Sequence, residues 1–340
     1  MGFIAHDFYK QTKPNSIRMI MKNIRTFSEK IITNINQVII GKRETIELAV
    51  ICLLCQGHLL IEDIPGVGKT MLARSLARSI KASFGRIQFT PDMLPSDVTG
   101  VSIYNQASKD FEFRPGPVMA EIVLADEINR ATPKTQSSLL EAMQEKTVTV
   151  DGVTHALPDL FMVIATQNPI EHEGTFRLPE AQLDRFLMRI RLGYPQVDDE
   201  IDILDGQQYK HPIEELNPVV SVEDVIKAQD TIKDIHIAPP VKKYLVELVQ
   251  QTRDHGDVYL GSSPRGSLGI YRASQARAAI QGRDYVTPDD IQTIAHPILG
   301  HRLILAPGAR LQNRNEADIL DELLKKVQVP GGDVYSKKKP

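Results

Sequence analysis

The segment Pro65-Gly66-Val67-Gly68-Lys69-Thr70 restricts what this chain can become more than any other part of it. Paired glycines let a backbone turn tightly and present its N–H groups inward. The lysine adds a cation and the threonine a hydroxyl for a hard metal ion, and a polyphosphate calls for all three. The apolar run His58-Leu59-Leu60-Ile61 ahead of the loop reads as a buried strand, and helical spacing follows over 69–80. Strand, glycine loop and helix in that order are the context required by the phosphate-loop pattern G-x-x-x-x-G-K-[ST]. One position departs from the pattern: Asp63 stands where the first glycine belongs. Asp63, Pro65, Gly66, Val67, Gly68, Lys69, Thr70 and Met71 are the expected nucleotide contacts, joined by Gly41 from the segment upstream.

Short apolar strands recur at 87–90, 122–125, 161–166 and 187–192 with helical segments between most of them, which predicts a parallel sheet covered by helices, an α/β fold. The apolar spacing over 24–56 is helical, with Gly57 as its stop. Alternation around Asp151-Gly152 predicts a hairpin at about 146–156. Beyond Tyr194-Pro195, helix starts take over: Ser221-x-x-Asp224, Ser263-Pro264 and Thr287-Pro288-Asp289-Asp290. The expected organisation is a flexible arm (1–22), a nucleotide-binding core carrying the hairpin (23–195), an all-helical lid (196–330) and a tail (331–340).

The strand Ile122-Val123-Leu124-Ala125 ends in Asp126-Glu127, at the edge where an open parallel sheet places its ligand crevice. Behind a phosphate loop, Asp126 and the Thr70 hydroxyl are expected to hold Mg2+ and Glu127 to polarise the attacking water. Alone, Asp-Glu after a strand is an ordinary helix cap. Asn168, after the strand 161–166, is placed to orient that water or to bind the γ-phosphate. Arg185 is a candidate arginine finger for a neighbouring subunit, and Arg265, in the first turn of a lid helix, a candidate phosphate contact in cis. Each of these arginines taken singly is an ordinary ion-pair residue.

A net charge of -3 and a pI near 6.3 give no global basic field, which argues against nucleic acid as a partner. The longest apolar run, 48–55, is too short to span a membrane, and the N-terminus shows no secretory pattern, so a cytoplasmic location is expected. The two cysteines, Cys52 and Cys55, sit on one apolar helical face and read as core. Glu171-His172-Glu173 lacks the helical i, i+4 pairing of a metal site.

These residues together resemble an AAA+ ATPase, and longer stretches resemble the MoxR family: Ile61-Glu62-Asp63-Ile64-Pro65-Gly66-Val67-Gly68-Lys69-Thr70, Thr90-Pro91-Asp92-Met93-Leu94-Pro95-Ser96-Asp97, Asp126-Glu127-Ile128-Asn129-Arg130-Ala131 and Leu178-Pro179-Glu180-Ala181-Gln182-Leu183-Asp184-Arg185-Phe186. Glu-Asp ahead of the Pro-Gly is usual in that family, whereas Arg177 replaces a more typical proline. The resemblance implies an αβα P-loop NTPase core with a small helical lid, ATP and Mg2+ as cofactors, and a ring, hexameric, in which the finger comes from the next subunit. It also implies chaperone-like remodelling of a client protein alongside a partner with a von Willebrand A domain, with 91–119 and the hairpin touching substrate. The alternatives are a metal-insertion motor like the magnesium chelatase ATPase subunit, a nucleic-acid translocase, and a switch that binds ATP but barely turns over.

Overall fold

The computed structural model describes residues 14–169 and 174–330; Glu171-His172-Glu173, the tail and most of the expected arm lie outside them. Five parallel strands make the central sheet: β1 (Leu59–Glu62), β2 (Phe84–Gln88), β3 (Ile122–Asp126), β4 (Met162–Gln167) and β5 (Met188–Ile190). Their spatial order is β2-β3-β4-β1-β5. Strand side chains alternate between faces. Leu59, Ile61, Ile122, Leu124, Met162 and Ile164 therefore enter one core, while Leu60, Val123, Ala125, Val163 and Ala165 enter the other. Being buried on both faces is why these strands read as continuous apolar runs rather than as alternating ones.

The first core is continuous with the interior of the lid. What joins them is a charge cluster: Arg302, buried, donates through Nε to the Asp184 carboxylate (2.8 Å) and through its terminal nitrogens to the carbonyls of Phe186 (2.7 Å) and Leu187 (3.1 Å). A buried guanidinium is tolerated only when its donors are paired in this way. The lid is helical, as its caps predict: Ser221, Thr287 and Asn315 each close a capping box. It also carries a two-stranded antiparallel ribbon, Val258–Leu260 with Ile304–Leu305, too short to leave a periodic signal.

Two expectations are corrected. The single helix over 24–56 is two helices, Pro14–Asn36 and Arg43–Leu54, parted by a turn in which Gly41 has φ +73. The first begins inside the expected arm and buries Ile24, Ile31, Ile32 and Ile35 in the first core. The aperiodic 91–119 segment contains a short helix, Pro95–Thr99, and an antiparallel hairpin, Gly100–Asn105 with Asp110–Pro115. The Asp151-Gly152 hairpin forms as Thr147–Val150 with Val153–Ala156. Cys52 and Cys55 are buried and free, and burial pushes the Cys55 thiol up to about 12.

His58 fixes the start of β1. Its Nδ1 accepts the Val163 N–H (3.0 Å) and its Nε2 donates to the Met143 carbonyl (3.2 Å), so it is held neutral. Burial lowers its pKa from 6.5 to about 4. Above the unfolded value both states are neutral and stability is complete. As pH falls from 6.5 towards 4 only the unfolded chain takes up the proton, and by about pH 5 this group alone costs about 2 kcal/mol. His301, buried with a pKa lowered well below its usual value, acts in the same direction. Urea midpoints are expected to fall steeply between neutral pH and pH 5, and less steeply in His58→Gln; an equal fall in both would contradict this assignment.

Candidate active site

β1 runs into the glycine loop and the loop into helix Lys69–Ser79. Gly66 (φ +85) and Gly68 (φ +92) lie in the left-handed region that side chains disfavour. A Cβ on Gly66 would meet nothing within 4 Å, so the loop is an open cradle there. Gly68 caps the helix, whose first N–H groups have no intrahelical acceptor and whose dipole is positive at this end. An anion of phosphate size fits this arrangement without further machinery. Lys69 Nζ donates to the Asp63 carbonyl at 2.7 Å.

Asp63 is expected from sequence as a nucleotide contact, and the structure corrects that. Its buried carboxylate accepts the N–H groups of Leu192 (2.6 Å), Gly193 (2.7 Å) and Ile64 (2.9 Å). It staples the root of the loop to the end of β5, work that a glycine cannot do. Pro65 is exposed, while Val67 and Met71 are partly buried against the first core. Gly41 closes the other side of the loop: a Cβ there would fall 2.0 Å from the Asp199 carboxylate, and Ile39 comes within 3.5 Å of the Cβ position of Gly68. Lys42 Nζ holds the Tyr194 carbonyl at 2.7 Å. Ile39 thus borders the phosphate loop, and Gly41 and Lys42 tie that segment to residues 194–199.

β4 lies between β1 and β3, so Asn168, buried just past its end, emerges between the phosphate loop and the two carboxylates. The carboxylates are positioned by Thr166, which sequence reasoning missed. Its Oγ1 donates to Asp126 Oδ1 (2.7 Å) and accepts the Glu127 N–H (2.8 Å). Arg86 pairs with Asp126 Oδ2 at 2.8 Å. Glu127 sits at φ +55, a conformation costing about 1 kcal/mol or more for a residue with a side chain and one that gathers at functional sites. Its Oε2 accepts from Gln88 (3.0 Å) and Arg130 (3.0 Å). The only sequence signal for these partners is that Gln88 and Thr166 stand at the carboxyl ends of strands.

Thr70 and Asp126 offer hard oxygen donors suited to Mg2+, which characteristically takes one or two protein oxygens and fills its remaining positions with phosphate and water. Among the described residues no group of three or more histidine, cysteine, aspartate or glutamate side chains gathers as a metal site.

The arginines are elsewhere. Arg185 precedes β5, and Leu187 N–H bonds the His58 carbonyl at the start of β1. Arg185 is therefore at the opposite end of the sheet from the phosphate loop, about 13 Å away along β1 at roughly 3.3 Å per residue. Its guanidinium donates to the Leu140 carbonyl (2.7 Å). Arg265 shares that edge: it lies 3.9 Å from Asp184 and lines one cleft with Gln56, Gln144, Arg185 and Arg272. The expectation that Arg265 reaches phosphates in cis is thus corrected. The Asp184–Arg302 anchor docks the lid with the first turn of helix Pro264–Ile280 against the amino ends of the strands.

Comparison with known proteins agrees with this architecture. Residues 58–188 match the model of the ATPase family associated with various cellular activities (AAA), and residues 250–323 that of the AAA lid domain. The uncharacterized protein YeaC of Bacillus subtilis is 55% identical over 88% of this chain and 94% of its own. Chaperone MoxR1 of Mycobacterium tuberculosis is 39% identical over 89% of this chain and 82% of its own. The crystal structure of a proposed ATPase from Cytophaga hutchinsonii superposes with a TM-score of 0.87 at 37% identity, covering 93% of this chain and 98% of that one. With a phosphate loop, paired strand-end carboxylates, a helical lid and relatives of this closeness, the chain belongs to the MoxR family of AAA+ ATPases.

Proposed function

We propose that this protein hydrolyses ATP with Mg2+ at sites shared between identical subunits of a ring, a hexamer, and uses the cycle to remodel client proteins. The observation that carries this reading is the division of the site: phosphate loop, Asp126, Glu127 and Asn168 lie at one end of the sheet, Arg185 and Arg265 at the other. A head-to-tail ring brings the second set of one subunit to the first set of the next. Lys69, Gly66 and Gly68 then bind the phosphates, Thr70 and Asp126 hold the metal ion, Glu127 takes a proton from water oriented with help from Asn168, and Arg185 and Arg265 stabilise charge on the γ-phosphate. When bound, the ion would supply charge neutralisation to the phosphates.

Remodelling is supported by the two hairpins. Tyr104 and Phe111 stand out on the first, 51% and 68% exposed, and Phe113 stacks on His155 of the second with ring centroids 3.8 Å apart. Exposed aromatics on a stiff, joined platform suit contact with unfolded or apolar client segments. A partner with a von Willebrand A domain would meet the ring as adaptor. The acidic balance gives no support to a nucleic-acid track.

If sites are completed by neighbours, ATP turnover per subunit rises with protein concentration until rings saturate, and Lys69→Ala abolishes it by about 100-fold or more. Turnover per subunit that stays flat on dilution to monomer would count against a shared site.

A further inference from the structure

Helix Val197–Gly206 buries no residue in its own chain. Only Asp199 and Ile203 are half-buried there, and a ten-residue helix packed through so narrow a face is marginal in water. Val197, Ile201 and Leu204, at i, i+4 and i+7, make an exposed apolar stripe (76%, 51% and 68%). Asp198, Asp202 and Asp205 make an acidic stripe beside it, and the helix has no basic residue. The opposite pattern occurs on the lid. Arg265, Leu268 and Arg272, at i, i+3 and i+7, form the exposed face of helix Pro264–Ile280, with Leu268 55% exposed. The acidic helix packs Asp199 on Gly41, two residues from the Ile39 that touches the phosphate loop at Gly68, and the arginine face carries Arg265, proposed to complete a neighbour's site.

We infer that helix Val197–Gly206 is the docking ledge for the lid of a second copy of this chain: its apolar stripe covers Leu268 and its acidic stripe meets Arg272 of the neighbouring lid, leaving Arg265 to the nucleotide. This rests on the shared-site ring proposed above. The two surfaces are complementary in kind, apolar to apolar and acidic to basic, and they lie beside complementary halves of one active site. The contact is head-to-tail, so it propagates around a ring. It also links the nucleotide to the interface, because Gly41 and Lys42 hold both the wall of the pocket and the root of the ledge at Tyr194 and Asp199.

The native cysteines are buried and their thiols poorly ionised, so introduced ones can be read alone. Full-length Leu204→Cys and Leu268→Cys chains, mixed with ATP and treated with a short bismaleimide, are expected to give a crosslinked dimer that neither variant gives by itself. Ile201→Glu, on an exposed position, is expected to raise the concentration for half-assembly by at least about tenfold. A dimer from Leu204→Cys alone, or a Leu204→Cys thiol still open to maleimide in assembled rings, as when the stripe serves a client, overturns the inference while the ring stands. Wild-type protein that stays monomeric in ATP overturns the ring as well.

Discussion

Glu127→Gln is expected to cut ATP hydrolysis by about 10²–10⁴-fold while leaving ATP bound. The substitution keeps the shape of the side chain, so the bonds from Gln88 and Arg130 to its Oε2 have an oxygen to go to, and the strained backbone at φ +55 is unaltered. It removes the carboxylate proposed to take a proton from water beside the phosphate loop, while Asp126 and its bonds to Thr166 and Arg86 are unchanged. Binding survives because Gly66, Gly68, Lys69 and Thr70 are untouched. Single-turnover hydrolysis with labelled ATP, followed by filtration to count retained nucleotide, separates the two effects. Undiminished turnover would remove Glu127 from the base role.

Arg185→Ala is expected to lower turnover by about 10³-fold or more, the scale of an arginine finger, again with ATP binding preserved. In its own chain Arg185 makes a bond to the Leu140 carbonyl, worth about 1 kcal/mol, so the melting temperature should drop by a few degrees at most. Loss of that size with an intact fold has no explanation within one chain, since Arg185 and the phosphate loop occupy opposite ends of the sheet. A few-fold loss would identify Arg185 as a structural arginine.

The chemistry of this site was legible wherever it is local. The glycine loop, the strand-end carboxylates and the Asp151-Gly152 turn, observed at φ +49 and +80, are each written in a few consecutive residues. What stayed hidden depends on partners far along the chain. Asp63 looks like a flaw in a motif until Leu192 and Gly193 are folded onto it. Thr166 is one more β-branched residue until β4 is seated beside β3. Where Arg265 points is decided by how the lid docks, and that is set by Arg302 reaching Asp184 across the chain. The hairpin within 91–119 escaped notice because its turn, Gln106-Ala107-Ser108-Lys109, lacks glycine, asparagine and aspartate, and Lys109 itself takes the positive φ of +56.

Mixing two inactive variants tests the shared site most directly. A Glu127→Gln subunit keeps its arginines and lacks the base; an Arg185→Ala subunit keeps the base and lacks the finger. In randomly mixed rings about a quarter of the interfaces join an intact nucleotide side to an intact Arg185, so equimolar mixing is expected to restore up to about a quarter of wild-type ATPase from two nearly inactive proteins. A mixture no more active than its components, in rings shown to exchange subunits, would contradict the claim that one chain's arginine completes the next chain's site.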